Sequence, residues 1–203
     1  APVAPGKVIA IARNYQSHLG KIPPPPRPEM FYKPVACICG PDDAIILPKD
    51  STDVHYEGEL VAVIGKTAKN VSAANAKKYI AGWTIGNDVS ERTWQRGDRT
   101  GWRAKNSDTF NPMGPWIVSG ADYRDMTTAV RLNGEEVDRF ATGPMIHDVE
   151  TYIEEISKYC TLYPGDILWM GTDGAPRNMK PGDVCEIEIT GIGVLRNPVV
   201  AVD

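Results

Sequence analysis

Two carboxylates one residue apart, Glu57 and Glu59, open the run His55-Tyr56-Glu57-Gly58-Glu59-Leu60-Val61-Ala62-Val63-Ile64-Gly65, whose apolar half reads as a buried strand. In a strand, residues i and i+2 leave the same face about 7 Å apart along the chain. Both side chains therefore aim at one point, and Gly58 leaves the opposite face uncrowded. Carboxylates about 5 Å apart repel by about 3 kcal/mol at an effective dielectric near 20, enough to raise one pKa by about two units. A divalent cation relieves that repulsion. A third carboxylate, Asp88, stands near the end of a second apolar run, Ile80-Ala81-Gly82-Trp83-Thr84-Ile85-Gly86-Asn87-Asp88. The set offers only oxygen donors, which favours Mg²⁺ or Mn²⁺, with Ca²⁺ as an ion a crystal could take up, over zinc or copper. Taken alone, Glu-x-Glu is more often the solvated face of a half-exposed strand.

The elements that must position these groups follow from periodicity and punctuation. Residues 7–12 form a short apolar strand that exits into the polar Arg13-Asn14-Tyr15-Gln16-Ser17-His18, and the proline run 23–28 is extended and exposed. Strand character returns at 30–34, 37–39 and 44–48. A short helix spans 71–82, with a Ser72 N-cap and a Gly82 stop. Residues 90–115 mix Glu91, Arg92, Gln95, Asp98, Arg99, Arg103 and Lys105 with Trp94 and Trp102, the composition of a long functional loop with the tryptophans as anchors or pocket walls. Asn133-Gly134 joins two strands as a hairpin. Val149, Tyr152, Ile153, Ile156 and Tyr159 fall at helical spacing behind an Asp148 cap. Matched turns, Pro164-Gly165-Asp166 and Pro181-Gly182-Asp183, launch strands at 167–170 and 184–189, and the chain ends in β-structure. The pattern is strand-dominated α+β, without the strand-helix alternation of a doubly wound sheet.

The 203 residues, 42% hydrophobic, suffice for one sizeable core, and no linker divides them. Residues 1–203 read as a single catalytic domain, with about 1–50 an N-terminal lobe and lid that is not independent. A net charge of -4 and a pI near 5.4 argue against nucleic acid and anionic membranes as partners. No apolar run approaches the roughly 20 residues of a membrane span, and the N-terminus lacks signal-peptide features. A cytoplasmic location is expected, compatible with a targeting segment removed ahead of Ala1. Cys37, Cys39, Cys160 and Cys185 have neither zinc nor redox spacing and read as buried free thiols; His18, His55 and His147 form no ligand cluster by spacing.

The order of motifs resembles the fumarylacetoacetate hydrolase family: Arg13-Asn14-Tyr15-x-x-His18, Tyr56-Glu57-Gly58-Glu59-Leu60, Asn87-Asp88, Lys105 with Asp108, Gly114-Pro115, Asn133-Gly134-Glu135, Leu162-Tyr163-Pro164-Gly165-Asp166, Gly171-Thr172 and Gly191-Ile192-Gly193. The resemblance implies a mixed β-sheet roll with a few short helices and a homodimer or higher assembly. It implies metal ligands at Glu57, Glu59 and Asp88, and catalytic roles for His18 and Lys105. Lys105 and Thr172 become contacts for a substrate carboxylate, with Gln95, Arg92 and Lys33 as further ones. A surface ion pair is an equally good reading of Arg92 and Arg103. The implied substrates are small 2-oxo dicarboxylic acids of aromatic or related catabolism. They chelate Mg²⁺ or Mn²⁺ and react through a metal-stabilised enolate. Carbon-carbon cleavage, by acylpyruvate hydrolysis or decarboxylation, is the leading expectation. Isomerisation or tautomerisation of hydroxymuconate-type or oxaloacetate-type acids is the alternative, and a non-catalytic metal- or metabolite-binding relative is the rival from another class.

One departure stands out. Comparable hydrolytic and decarboxylating members carry His-x-x-Glu on the lid, whereas this chain reads His18-Leu19-Gly20-Lys21, with Glu29 a substitute acid if the lid folds back. A Lys can only donate and repels imidazolium. For the metal set, Glu57→Ala, Glu59→Ala and Asp88→Ala are each expected to abolish metal-dependent activity with the fold intact, relieved repulsion stabilising the metal-free form by about 1 kcal/mol. Normal metal affinity by calorimetry in any one variant removes that residue from the coordinating set.

Overall fold

The computed structural model describes residues 1–202. The apolar run after Glu57 becomes the strand Gly58–Ile64, every residue of which is buried. Each face has its own packing layer. Leu60, Ala62 and Ile64 join the larger apolar cluster, while Val61 and Val63 join a smaller one with Val8, Ala10, Met113, Ile167 and Trp169. A strand covered on both faces needs no polar alternation, which explains the unbroken run.

This strand is central in a seven-stranded sheet ordered Met30–Lys33, Val8–Ile11, Ile167–Trp169, Gly58–Ile64, Ile80–Asn87, Asn111–Val118, Ile38–Cys39. Neighbours are antiparallel except Val8–Ile11 beside Ile167–Trp169 and Ile38–Cys39 beside Asn111–Val118. A five-stranded sheet, ordered Glu135–Ala141, Thr127–Leu132, Val184–Ile189, Gly193–Ala201, Ile45–Leu47, contributes Val130, Ile187 and Leu195 to the larger cluster. Val54–His55 and Ser90–Glu91 pair as a small ribbon. The result is the strand-dominated α+β architecture of mixed sheets that the sequence implies. The first fifty residues supply strands to both large sheets.

Local signals translate directly where the chemistry is local. Asn133 and Gly134 have φ of 54° and 82°, the left-handed pair of a type I′ hairpin. The Asp148 carboxylate accepts from Thr151 N at 2.8 Å and caps helix Val149–Tyr159, which buries Val149, Tyr152, Ile153 and Ile156. Tyr159, the last residue of the expected apolar face, is 75% exposed at the helix end.

Other expectations are corrected. The helix expected over 71–82 shrinks to Ala73–Ala76 and a 3₁₀ turn, Lys77–Tyr79. The Ser72 side chain accepts from Asn75 Nδ2 rather than from a backbone N–H. Gly82 stops no helix: it lies inside a strand, where a Cβ would sit 2.5 Å from the Val118 carbonyl oxygen. Val35–Cys37 is a 3₁₀ turn, and residues 111–115 of the expected loop belong to the strand Asn111–Val118. All four cysteines are free, but only Cys37 and Cys185 are buried. No helix is long and apolar enough to cross a membrane.

Gly86 lies beneath the Trp169 indole, where a Cβ would meet Trp169 Cζ3 at 2.7 Å and Val61 Cγ2 at 2.8 Å. Gly86→Ala is therefore expected to lower stability by about 1–3 kcal/mol through overpacking, measured by chemical denaturation.

Candidate metal centre and substrate cavity

Strand pairing places the three carboxylates. Glu59 is opposite Gly86 in the antiparallel register, and Asp88 follows two residues later on the face that Gly86 presents to Trp169. The Asp88 backbone N–H donates to the Glu57 carbonyl, and the Glu57 N–H donates to Asn87 Oδ1, both at 2.9 Å. One oxygen from each of Glu57, Glu59 and Asp88 lies within 4.8 Å of the others, and all three residues are buried. The reverse face of Gly58 is not uncrowded. A Cβ there would meet Ile187 Cγ2 at 3.1 Å and Val130 Cγ2 at 3.2 Å, so the glycine lets the second sheet approach directly behind the carboxylates.

Three cations enclose the cluster. Lys105 Nζ donates to Glu57 Oε2 and Asp88 Oδ2, both at 2.6 Å, and Arg92 Nη2 donates to Glu57 Oε1 at 2.6 Å. Lys33 Nζ pairs with Asp88 Oδ1. Burial alone would raise the Glu57 pKa, but Lys105 and Arg92 hold it down at about 2. Glu59 goes the other way. Burial, then the Asp88 and Glu57 charges, push it well above the ordinary carboxylate range, opposed by Lys105 and by the Gly171 N–H donating at 2.9 Å. Burial depresses the Lys33 pKa despite Asp88, whereas for Lys105 the attraction of Asp88 and Glu57 overcomes burial and raises it. A buried carboxylate without its own cation, beside two others, is the environment that an oxygen-preferring divalent ion satisfies. The residues fit such an ion.

A cavity of about 300 Å³ opens above the centre, lined by Glu57, Glu59, Lys105, Arg92, Gln95, Thr172 and His18 among others. The structure thus brings these expected site residues together, but not all of them. Lys33 is fully buried beneath Asp88 and does not line the cavity; instead of touching substrate it neutralises a carboxylate. Arg92 is no surface ion pair, since it anchors Glu57 in the cavity wall, while Arg103 stacks over Trp94 at 4.8 Å. Neither Trp94 nor Trp102 walls the cavity, and Trp102 is 65% exposed. Glu29 does not line the cavity; its carboxylate accepts from Arg13 Nε and Nη2 at 2.8 and 2.6 Å. His18, on the helical turn Gln16–Leu19, has its Nε2 3.3 Å from the Gly174 carbonyl oxygen.

The sequence reading missed residues that reach the cavity from less distinctive positions. Arg13, Asn14, Phe31, Asp98, Arg99 and Thr100 also line it. Asn14 fixes the lid root, its amide donating to the carbonyls of His147 and Met170 at 3.1 and 3.0 Å. Glu91, fully buried, accepts from the backbone of Asp53 at 2.9 Å and Trp94 at 2.6 Å, and so fixes the turn Arg92–Gln95. Polar residues at a strand exit or in a loop were the available signal, and direction was not.

Mixed sheets around a buried carboxylate triad beneath a cavity define the class. Residues 7–200 match fumarylacetoacetate (FAA) hydrolase C-terminal, and the chain belongs to the fumarylacetoacetate hydrolase family. It is similar to the crystal structure of 5-carboxymethyl-2-hydroxymuconate delta-isomerase from Mycobacterium smegmatis, with 43% identity and a TM-score of 0.93 over 100% of this chain and 82% of that one. The mitochondrial oxaloacetate tautomerase FAHD2A of Bos taurus is 40% identical over 216 residues, 98% of this chain and 68% of its own. Maleylpyruvate hydrolase from Sphingobium sp. SYK-6, solved with manganese(II) and pyruvate, is 29% identical with a TM-score of 0.85, covering 98% of this chain and 72% of that one.

The ion pairs revise the expectation for the carboxylate variants. Asp88→Ala strands Lys33 inside the protein, leaves Lys105 with Glu57 alone, and is expected to cost about 3–5 kcal/mol in the metal-free protein, as breaking a buried pair does. Glu59→Gln, which removes repulsion without stranding a cation, is expected to leave metal-free stability unchanged or higher. Chemical denaturation in chelator separates the two, and calorimetry with Mn²⁺ should show lost affinity in both.

Proposed function

We propose that the chain is a divalent-metal-dependent enzyme that moves a proton at C3 of small 2-oxo dicarboxylic acids, a tautomerase or isomerase of oxaloacetate-type or hydroxymuconate-type substrates. The observation that carries this reading over cleavage is the Arg13–Glu29 pair, which leaves His18 facing a backbone carbonyl with no carboxylate partner among the described residues. A His without an orienting acid is poorly equipped to activate water, a role typically worth 10²- to 10⁴-fold. Proton transfer at carbon needs no water.

Glu57, Glu59 and Asp88 would hold the ion, which when bound supplies Lewis-acid polarisation of the 2-oxo group. Lys105 and Thr172 bind the adjacent carboxylate, and Gln95, hydrogen-bonded to Arg92 at 2.9 Å, orients the substrate against that wall. His18 takes the C3 proton from the lid side and returns it at the conjugate position. The lid segment excludes bulk water; its root is closed by the Ala12 N–H donating to the Glu29 carbonyl at 3.1 Å. The similar tautomerase and isomerase support this reading, and the manganese-containing hydrolase supports both the ion and a second reading, carbon-carbon cleavage.

Turnover of enol-oxaloacetate, hydroxymuconates and acylpyruvates with Mg²⁺ or Mn²⁺ tests this. Tautomerisation or isomerisation should exceed acylpyruvate hydrolysis by at least about 10²-fold, and Lys21→Glu should raise hydrolysis selectively. Faster hydrolysis than proton transfer in the unmodified protein, with no response to Lys21→Glu, would instead establish the cleavage reading. Tight metal binding without any turnover favours a non-catalytic relative.

A further inference from the structure

The cavity wall carries four Lys and Arg side chains, and three pair with carboxylates of the protein: Lys105 with Glu57 and Asp88, which leaves one N–H for substrate, Arg92 with Glu57, and Arg13 with Glu29. Arg99 lines the same cavity and makes no ion pair or side-chain hydrogen bond among the described residues. The acid beside it in sequence is turned to the backbone: Asp98 Oδ2 accepts from the N–H groups of Arg103 and Ala104 at 2.8 and 3.2 Å. The same turn is tied to the metal centre, with the Gly101 N–H donating to the Asp98 carbonyl at 3.1 Å and the Lys105 N–H to the Gly101 carbonyl at 3.0 Å. One wound segment therefore presents a committed ammonium at the buried end of the cavity and an uncommitted guanidinium at its exposed mouth.

We propose that Arg99 receives an anionic group at the end of the substrate remote from Glu57, Glu59 and Asp88, and so selects 2-oxo acids that carry a second carboxylate. This rests on the 2-oxo acid reading of the cavity. The planar fork of a guanidinium matches a carboxylate bidentately, which Lys cannot reproduce.

The test compares two unreactive acids of equal chain length, 2-oxoglutarate and 2-oxovalerate, which differ by a distal carboxylate in place of a methyl group. With Mn²⁺ present, calorimetry on the unmodified protein should show 2-oxoglutarate preferred by about 10- to 100-fold, the usual worth of a charge-assisted pair. Arg99→Gln should erase the preference by weakening 2-oxoglutarate alone, and Arg99→Lys should retain part of it. The proposal is overturned if the unmodified protein shows no preference, if Arg99→Gln keeps it, or if that variant weakens both acids equally. Oxaloacetate tautomerisation measured in parallel separates the two claims. An Arg99-dependent preference without turnover keeps this subsite and removes the tautomerase reading, whereas turnover without such a preference does the reverse.

Discussion

The structure depends on keeping three carboxylates charged or neutral as required on a sheet face that is otherwise apolar. Glu57, Glu59 and Asp88 share the side of the sheet that packs Val61, Val63 and Trp169, where an uncompensated charge is costly. Compensation comes from distant parts of the chain. Lys33 arrives from the edge strand Met30–Lys33 and Lys105 from the loop before Asn111–Val118; Arg92 arrives from a turn whose geometry is set by buried Glu91. Two glycines make the arrangement sterically feasible, Gly58 by admitting the second sheet and Gly86 by admitting the Trp169 ring.

The same balance explains why the three carboxylates are not equivalent. Glu57 and Asp88 are paired directly with protein cations, while Glu59 has the Gly171 N–H and the more distant Lys105 charge against its neighbours' repulsion. The formal charges balance, three carboxylates to three cations, but no cation is in ion-pair contact with Glu59. That asymmetry is the physical basis for expecting an exchangeable cation in place of a permanent buried ion pair.

Beside the cavity, the segment after Val8–Ile11 is anchored at its start. Its root is held rigidly by Asn14 and by Tyr15, whose hydroxyl donates to the Thr142 carbonyl at 2.7 Å. Arg13 adopts a left-handed φ of 54° and binds Glu29 across the base of the loop. The acid that sequence proximity offered to His18 is thus committed to the lid's own closure. The relatives that the chain resembles are described as isomerase, tautomerase and hydrolase.

The sequence by itself determined the elements whose causes are local, because hairpin, cap and turn signals act within a few residues. Asn133-Gly134, the Asp148 cap and the Pro-Gly-Asp turns all act at that range. It also singled out the carboxylate set, since Glu57 and Glu59 leave one face of a strand, Asp88 ends a second apolar run, and the order of motifs joined the three. Tertiary structure alone decided the rest. Lys33, expected as a substrate contact, lies buried against Asp88; Glu29 pairs with Arg13; and Gly82, expected as a helix stop, packs inside a strand. In each case the residue's role depends on what lies across a sheet or loop tens of residues away. Residue type and spacing carry no direction at that range, because ion pairing and close packing are settled only when the sheets have formed.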